Sequence, residues 1–121
     1  MSRAERLAEL LKREISTVIQ SKLNDHRIGF VSITEIKVTD DLSQARVFVS
    51  CMGTEEEKKK SLRGLISAIP FIRGYLADHI QTRIVPDLRF TLDDSLDIGA
   101  QRIELLNKLA QEREQRESTA D

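Results

Sequence analysis

Apolar residues recur along this chain with two periods, and the switches between them mark out seven elements. From Arg3 to Leu23, the residues Leu7, Leu10, Leu11, Ile15, Val18, Ile19 and Leu23 fall on one stripe of a helix. Its other face carries Arg3, Arg6, Lys12, Arg13 and Lys22 among Glu5, Glu9 and Glu14. Asn24-Asp25-His26-Arg27 suits a turn. Over Ile28–Thr39 the period shortens to two, with Val31 and Ile33 on one parity and Ile36 and Val38 on the other. That spacing predicts a strand with a bulge or bend near Thr34-Glu35. After the turn Asp40-Asp41-Leu42-Ser43, Ala45, Val47, Val49 and Cys51 alternate with Arg46, Phe48 and Ser50 as the return strand of a hairpin.

Thr54-Glu55-Glu56-Glu57 has the form of a capping box opening a helix. Leu62, Leu65, Ile66 and Ile69 then mark one helical face, and Ile72, Leu76 and Ile80 mark a second. Pro70 separates them: it lacks an N–H and drives Ile69 out of the helical region, yet is tolerated as the first residue of the next helix. Val85-Pro86-Asp87 stops that helix, and Leu88, Phe90 and Leu92 alternate with Arg89 and Thr91 as a strand. Asp93-Asp94-Ser95-Leu96-Asp97 offers a cap for a last helix anchored by Ile98, Ile103, Leu105, Leu106 and Leu109. From Ala110 on there is no large apolar residue, so residues 1–109 form the domain and 110–121 an acidic tail expected to fray. The order α-β-β-α-α-β-α predicts an α+β fold, a three-stranded sheet with helices on one face.

Composition narrows the function. The 121 residues include no Trp, one Tyr and four Phe, so the several aromatic platforms of many single-strand binders are absent. The single Cys51 has no disulfide partner and no second Cys for a zinc site, and its place on a strand suits a small buried hydrophobe. The first residues lack an apolar signal core and no stretch approaches a membrane span, so the expected location is the cytosol. Residues 93–121 hold eight Asp/Glu against four Lys/Arg, leaving fifteen Lys/Arg against twelve Asp/Glu in residues 1–92. A basic body of +3 with a tail of −4 is compatible with nucleic-acid binding without demanding it.

Candidate chemistry is thin. His26 and His79 have no Cys, Ser or Glu at a recognised catalytic spacing. Asp93, Asp94 and Asp97 are hard ligands of the kind magnesium takes, but capping the last helix explains them without a metal. No P-loop, GxGxxG, HExxH or EF-hand pattern occurs, and neither an enzyme nor a cofactor is expected. Glu55-Glu56-Glu57-Lys58-Lys59-Lys60 reads as a solvated, self-neutralising helix face. The arginines are better placed for phosphate: Arg3, Arg6 and Arg13 on the first helix, Arg27 at the hairpin edge, Arg46 and Arg89 outward on strands, Arg73 and Arg83 on and after the second central helix.

Four stretches together resemble the ribosome-binding factor A family of bacterial small-subunit assembly proteins. They are Asp25-His26-Arg27-Ile28-Gly29 with Val31-Ser32-Ile33-Thr34, and Val38-Thr39-Asp40-Asp41-Leu42 leading to Ala45-Arg46-Val47-Phe48-Val49-Ser50. The others are Phe71-Ile72-Arg73 with Arg83-Ile84-Val85-Pro86-Asp87-Leu88-Arg89-Phe90, and Asp93-Asp94-Ser95 with Gly99, Arg102-Ile103 and Leu105-Leu106. The resemblance covers roughly residues 3–109. It implies a KH-type fold of the bacterial class without the GxxG loop, and a non-enzymatic protein that binds the small ribosomal subunit and its RNA late in maturation. It also implies an association with growth in the cold. The family's Ala-x-Gly at the helix break reads Ala68-Ile69-Pro70 here, and His26 stands where Pro is common. RNA contact is therefore expected from arginine side chains, and the free protein is expected to be a monomer. The competing expectation is a protein–protein adaptor docking through a sheet edge or the first helix; a magnesium-dependent nuclease ranks third.

Overall fold

The computed structural model describes residues 1–81 and 84–93. The expected last helix, the tail and Arg83 lie outside the described residues. The order is α1 (Arg3–Ser21), β1 (Val31–Val38), β2 (Gln44–Cys51), α2 (Glu55–Ser67), α3 (Ile69–His79) and β3 (Asp87–Leu92). The strands form a mixed sheet in the order β1-β2-β3, with β1–β2 antiparallel and β2–β3 parallel. A tight turn suffices for the hairpin, whereas a parallel neighbour requires a crossover. The α2–α3 pair supplies it. This is the α-β-β-α-α-β arrangement expected from the sequence.

Helix α1 starts with a capping box in which the Glu5 N–H donates to Ser2 Oγ (3.0 Å) and the Ser2 N–H to Glu5 Oε1 (2.8 Å). Its stripe of Leu7, Leu11, Ile15 and Val18 is buried against β1 and α3. Thr54 and Glu57 close the same box on α2, as the sequence predicts. The sheet's inner face contributes Val31, Ile33 and Ile36 from β1, Ala45, Val47, Val49 and Cys51 from β2, and Leu88 and Phe90 from β3. Leu65, Ile72, Leu76 and Ile80 complete the core.

Three boundaries differ from the sequence expectation. First, β1 begins at Val31 rather than Ile28, because Arg27–Phe30 crosses to α2 before entering the sheet. Second, the break between α2 and α3 falls at Ala68 (φ −86°, ψ −3°), and Ile69 is helical. The Ala68 N–H is shared between Gly64 O (3.1 Å) and Leu65 O (3.0 Å), which tightens the last turn of α2. Pro70 lies in the first turn of α3, where its missing N–H has no intrahelical acceptor to lose.

Third, the buried strip of α2 is turned from the face that its large residues mark: Leu65 is buried and Leu62 and Ile69 pack at its margin, but Ile66 leaves it. Ile66 is 49 % exposed, while Lys58 (8 %), Ser61 (2 %), Gly64 and Leu65 are buried. Small residues permit a close approach that large ones prevent. Ser61 Oγ accepts the Gly29 N–H (3.0 Å), and a Cβ on Gly64 would lie 2.6 Å from Ile28 Cγ1.

The α1–β1 loop is held by a fork. Arg27 Nε and Nη2 donate to Asp25 Oδ1 (3.1 Å) and Oδ2 (2.7 Å), and the Arg27 N–H also reaches Oδ1 (2.9 Å). The guanidinium bonds, with the backbone bond behind them, pull the Asp25 carboxyl from 3.8 down to about 2.

Two measurements check these contacts. Gly64→Ala is expected to destabilise the fold by about 1–3 kcal/mol in urea unfolding, through overpacking against Ile28. Gly74→Ala, in the interior of α3 with nothing within 4 Å of the new Cβ, is expected to stabilise it by ~0.5–1 kcal/mol. Asp25 is lower in the folded chain than in the unfolded one, so its stabilisation is present above the unfolded value. It fades as pH falls from 3.8 towards 2. A carboxyl NMR titration should place Asp25 near 2, and Arg27→Ala should return it to the ordinary carboxylate range; a native midpoint near 4 would mean the fork is open.

Candidate nucleic-acid interface

The sheet face turned away from the helices is built by the register of the strands. In the β1–β2 ladder Ile33 pairs with Val49 and Glu35 with Phe48, so Thr34 is the extra residue of a β-bulge. Beyond it Ile36 and Val38 rejoin the inner parity, and Glu35 and Lys37 turn outward. Lys37 then lies opposite Arg46, and Arg46 opposite Arg89. With strands about 4.8 Å apart, three cations occupy one row across the full width of the sheet. Like charges directly opposite destabilise a sheet. Among the described residues neither Arg46 nor Arg89 has an ion-pair or hydrogen-bond partner to offset that cost.

Around the edge of β3 this row meets the helix break. Lys37, Arg46, Arg73 and Arg89 line one groove of about 550 Å³. A smaller one of about 280 Å³ joins Arg46 and Arg89 to Ile66 and Ile69 on either side of Ala68. The α3 N-terminus has no side-chain cap, and because α2 ends at the same residue, Ala68, the opposed dipole ends of the two helices largely offset there. Arg73 is partly committed: Nη2 donates to Val85 O (2.7 Å) and Nε to Pro86 O (3.3 Å), and Asp87 Oδ1 is 3.7 Å away. Those bonds tie α3 to the segment entering β3 and leave three of its five N–H donors for a ligand.

The remaining expected contacts are elsewhere. Arg3 and Arg6 border a separate groove of about 610 Å³ with Leu7, Leu10, Leu42 and Ile84. Arg13 lies exposed on α1, 3.7 Å from Glu14, an ion pair of little energetic weight. Arg27 is engaged by Asp25. The structure thus brings Arg46, Arg73 and Arg89 together with Ala68 and Pro70, and leaves Arg3, Arg6, Arg13 and Arg27 apart. Lys37 was missed in the sequence, although moving the parity across the Thr34 bulge places it opposite Arg46. Among the described residues no group of His, Cys, Asp and Glu could hold a metal ion, and no helix is long and apolar enough to cross a membrane.

Comparison with known proteins agrees with this architecture. The family model described as ribosome-binding factor A matches residues 3–106. A ribosome-binding factor A from Halothermothrix orenii is 45 % identical over 112 residues, covering 93 % of this chain and 92 % of the relative. One from Acetivibrio thermocellus is 49 % identical over 109 residues, 89 % of each chain. The crystal structure of Thermus thermophilus ribosome-binding factor A superposes with a TM-score of 0.66 at 28 % identity, covering 74 % of this chain and 93 % of that one. A Thermus thermophilus ribosome binding factor A fitted into the cryo-EM map of a 30S complex gives 0.60 at 28 % identity, over 72 % and 91 %. With the family model matching residues 3–106 and relatives at 45 % and 49 % identity over about nine-tenths of its length, this chain belongs to the ribosome-binding factor A family.

Proposed function

We propose that this chain is a ribosome maturation factor that binds the small ribosomal subunit and its RNA late in assembly, without covalent chemistry. Its family and the 30S complex of a Thermus thermophilus relative support the partner. The observation that carries the mechanism is the row Lys37–Arg46–Arg89, three opposed cations of which the two arginines have no acid partner among the described residues. Phosphate oxygens would supply the missing counter-charge, and guanidinium groups grip them in fixed forks. Such contacts position an RNA segment by its backbone and shape. Arg73 adds charge at the groove edge, and the helix break adds a wall of Ile66 and Ile69.

The reading is tested by sedimentation of the protein with purified small subunits at graded salt. Arg46→Glu with Arg89→Glu is expected to weaken binding by tenfold or more at moderate salt. It should also reduce the slope of log affinity against log salt by about two, since each lost phosphate contact removes about one. The matched reversal Arg3→Glu with Arg13→Glu, on exposed cations of α1 lying apart from the row, is expected to change binding far less. Affinity that ignores both salt and the Arg46/Arg89 reversal would transfer the argument to the adaptor reading, in which an open edge of β1 or β3 docks a protein.

A further inference from the structure

We propose that the outer sheet face stacks unpaired bases as well as holding phosphates, with Phe48 as the principal platform and the Phe30–Met52 pair as a second. This rests on the reading of the chain as a binder of small-subunit RNA and deepens it, because phosphate contacts alone require no aromatic ring.

The placement follows from the ladder. Phe48 has the outward parity of Arg46 and Ser50, between Glu35 on β1 and Thr91 on β3. Its ring lies one row from the three cations, about 7 Å along the strand, and the Lys37 ammonium stands 5.8 Å from its centroid. At the far end of the same face the Met52 N–H donates to Phe30 O (3.1 Å), one rung beyond Val31 and Cys51. Phe30 and Met52 therefore share the parity of Ser32 and Ser50, and they are 70 % and 66 % exposed. Among the described residues, the short hydroxyl side chains of Ser32 and Ser50 lie between this pair and Phe48, flanked by Thr34 and the Asp93 carboxylate bonded to it. Phe48 and Met52 are about 13 Å apart along β2, room for a run on the order of two or three nucleotides between the platforms.

Two costs thus coincide on one face: the Phe30 ring and Met52 left in water, with Phe48 half-buried between them and the cations, and like charges set opposite one another. A single occupant that is both anionic and aromatic offsets both, and unpaired RNA has that chemistry. A protein partner is the weaker fit. The apolar residues here are separated by serines and bordered by a cationic row, whereas protein contacts favour a continuous apolar centre depleted of charge. Glu35, beside Phe48, Asp93, bonded to Thr34 Oγ1, and Asp87, at the Gln44 end, are acidic side chains on the described part of this face. Glu35 and Asp93 should disfavour a continuous phosphate track across the ring, leaving that position to a base.

The test uses the full chain, a short fluorescent single-stranded RNA, the matching RNA duplex, and small subunits. Native protein is expected to prefer the single strand to the duplex. Phe48→Leu, which keeps an apolar side chain without a π-face, is expected to lower single-strand affinity about 5- to 100-fold with an unchanged salt slope. Phe48→Trp should retain binding, and its indole fluorescence should be quenched by the single strand. Phe30→Ala is expected to show a smaller loss in the same direction. Full single-strand affinity in Phe48→Leu, or no quenching in Phe48→Trp, overturns the proposal. So does a native chain that binds subunits but not the oligonucleotide, and so does a Phe48→Leu defect confined to subunits, which would point to a ribosomal protein on this face. In each case the effect of Arg46→Glu with Arg89→Glu on subunit binding decides separately whether the phosphate reading stands.

Discussion

One extra residue in β1 determines which side chains this protein shows to its surroundings. Without the Thr34 bulge, strict alternation from Val31 and Ile33 would carry Glu35 and Lys37 into the core and turn Ile36 and Val38 to solvent. Two charges would be buried without partners and two aliphatic side chains lost from the packing under α1. The bulge reverses that parity midway. Thr34 Oγ1 then donates to Asp93 Oδ2 (2.5 Å) and lies 3.2 Å from Phe48 O, fastening the irregularity to the end of β3 and to β2. Core packing and the cationic row are therefore two results of one local shift.

The second constraint is the parallel pairing of β3 with β2. A parallel partner demands a crossover, and the crossover must reverse direction within a short chain. Here α2 and α3 meet at a single residue, Ala68, and α2 is held close to the Ile28–Gly29 segment by the small residues Ser61 and Gly64. That close approach fixes the position of the break beside β3. As a result Ile66 and Ile69 stand next to Arg46 and Arg89, and a fold requirement produces the wall of the groove. Pro70 takes little part in the bend itself. Its contribution is to start α3 with a backbone already disposed to the helix.

The sequence was readable where one physical preference dominated. The α1 stripe, the β2 alternation, the Thr54–Glu57 box and the parity change near Thr34 each have a single explanation, and the structure bears all four out. Reading failed where preferences competed. On α2 Leu65 is buried as its spacing predicts, but Ser61 and Gly64 share the buried strip in place of Ile66, because proximity to Ile28–Gly29 outweighs the exposure of Ile66. The helix break is expected over Ala68–Pro70 and falls at Ala68, but Ile69 is helical where the proline is expected to exclude it. The proline's lost hydrogen bond is visible in the sequence. The sharing of the Ala68 N–H between two carbonyls is not. The eight arginines were chosen for charge and element, which cannot reveal whether a guanidinium has already been claimed by its own chain.

That last distinction orders the arginines by function better than charge does. A guanidinium forked onto Asp25 brings little net field to a ligand, and releasing it would undo the loop that Arg27 closes. Arg73 is intermediate, since two of its donors hold the carbonyls of Val85 and Pro86 while its side chain also lines the groove. Arg46 and Arg89 have neither commitment among the described residues, and they are opposed to one another and to Lys37. The cost of gathering them is one that a ligand able to neutralise several cations at once would relieve, a condition that a polyanionic backbone would meet and a single carboxylate would not.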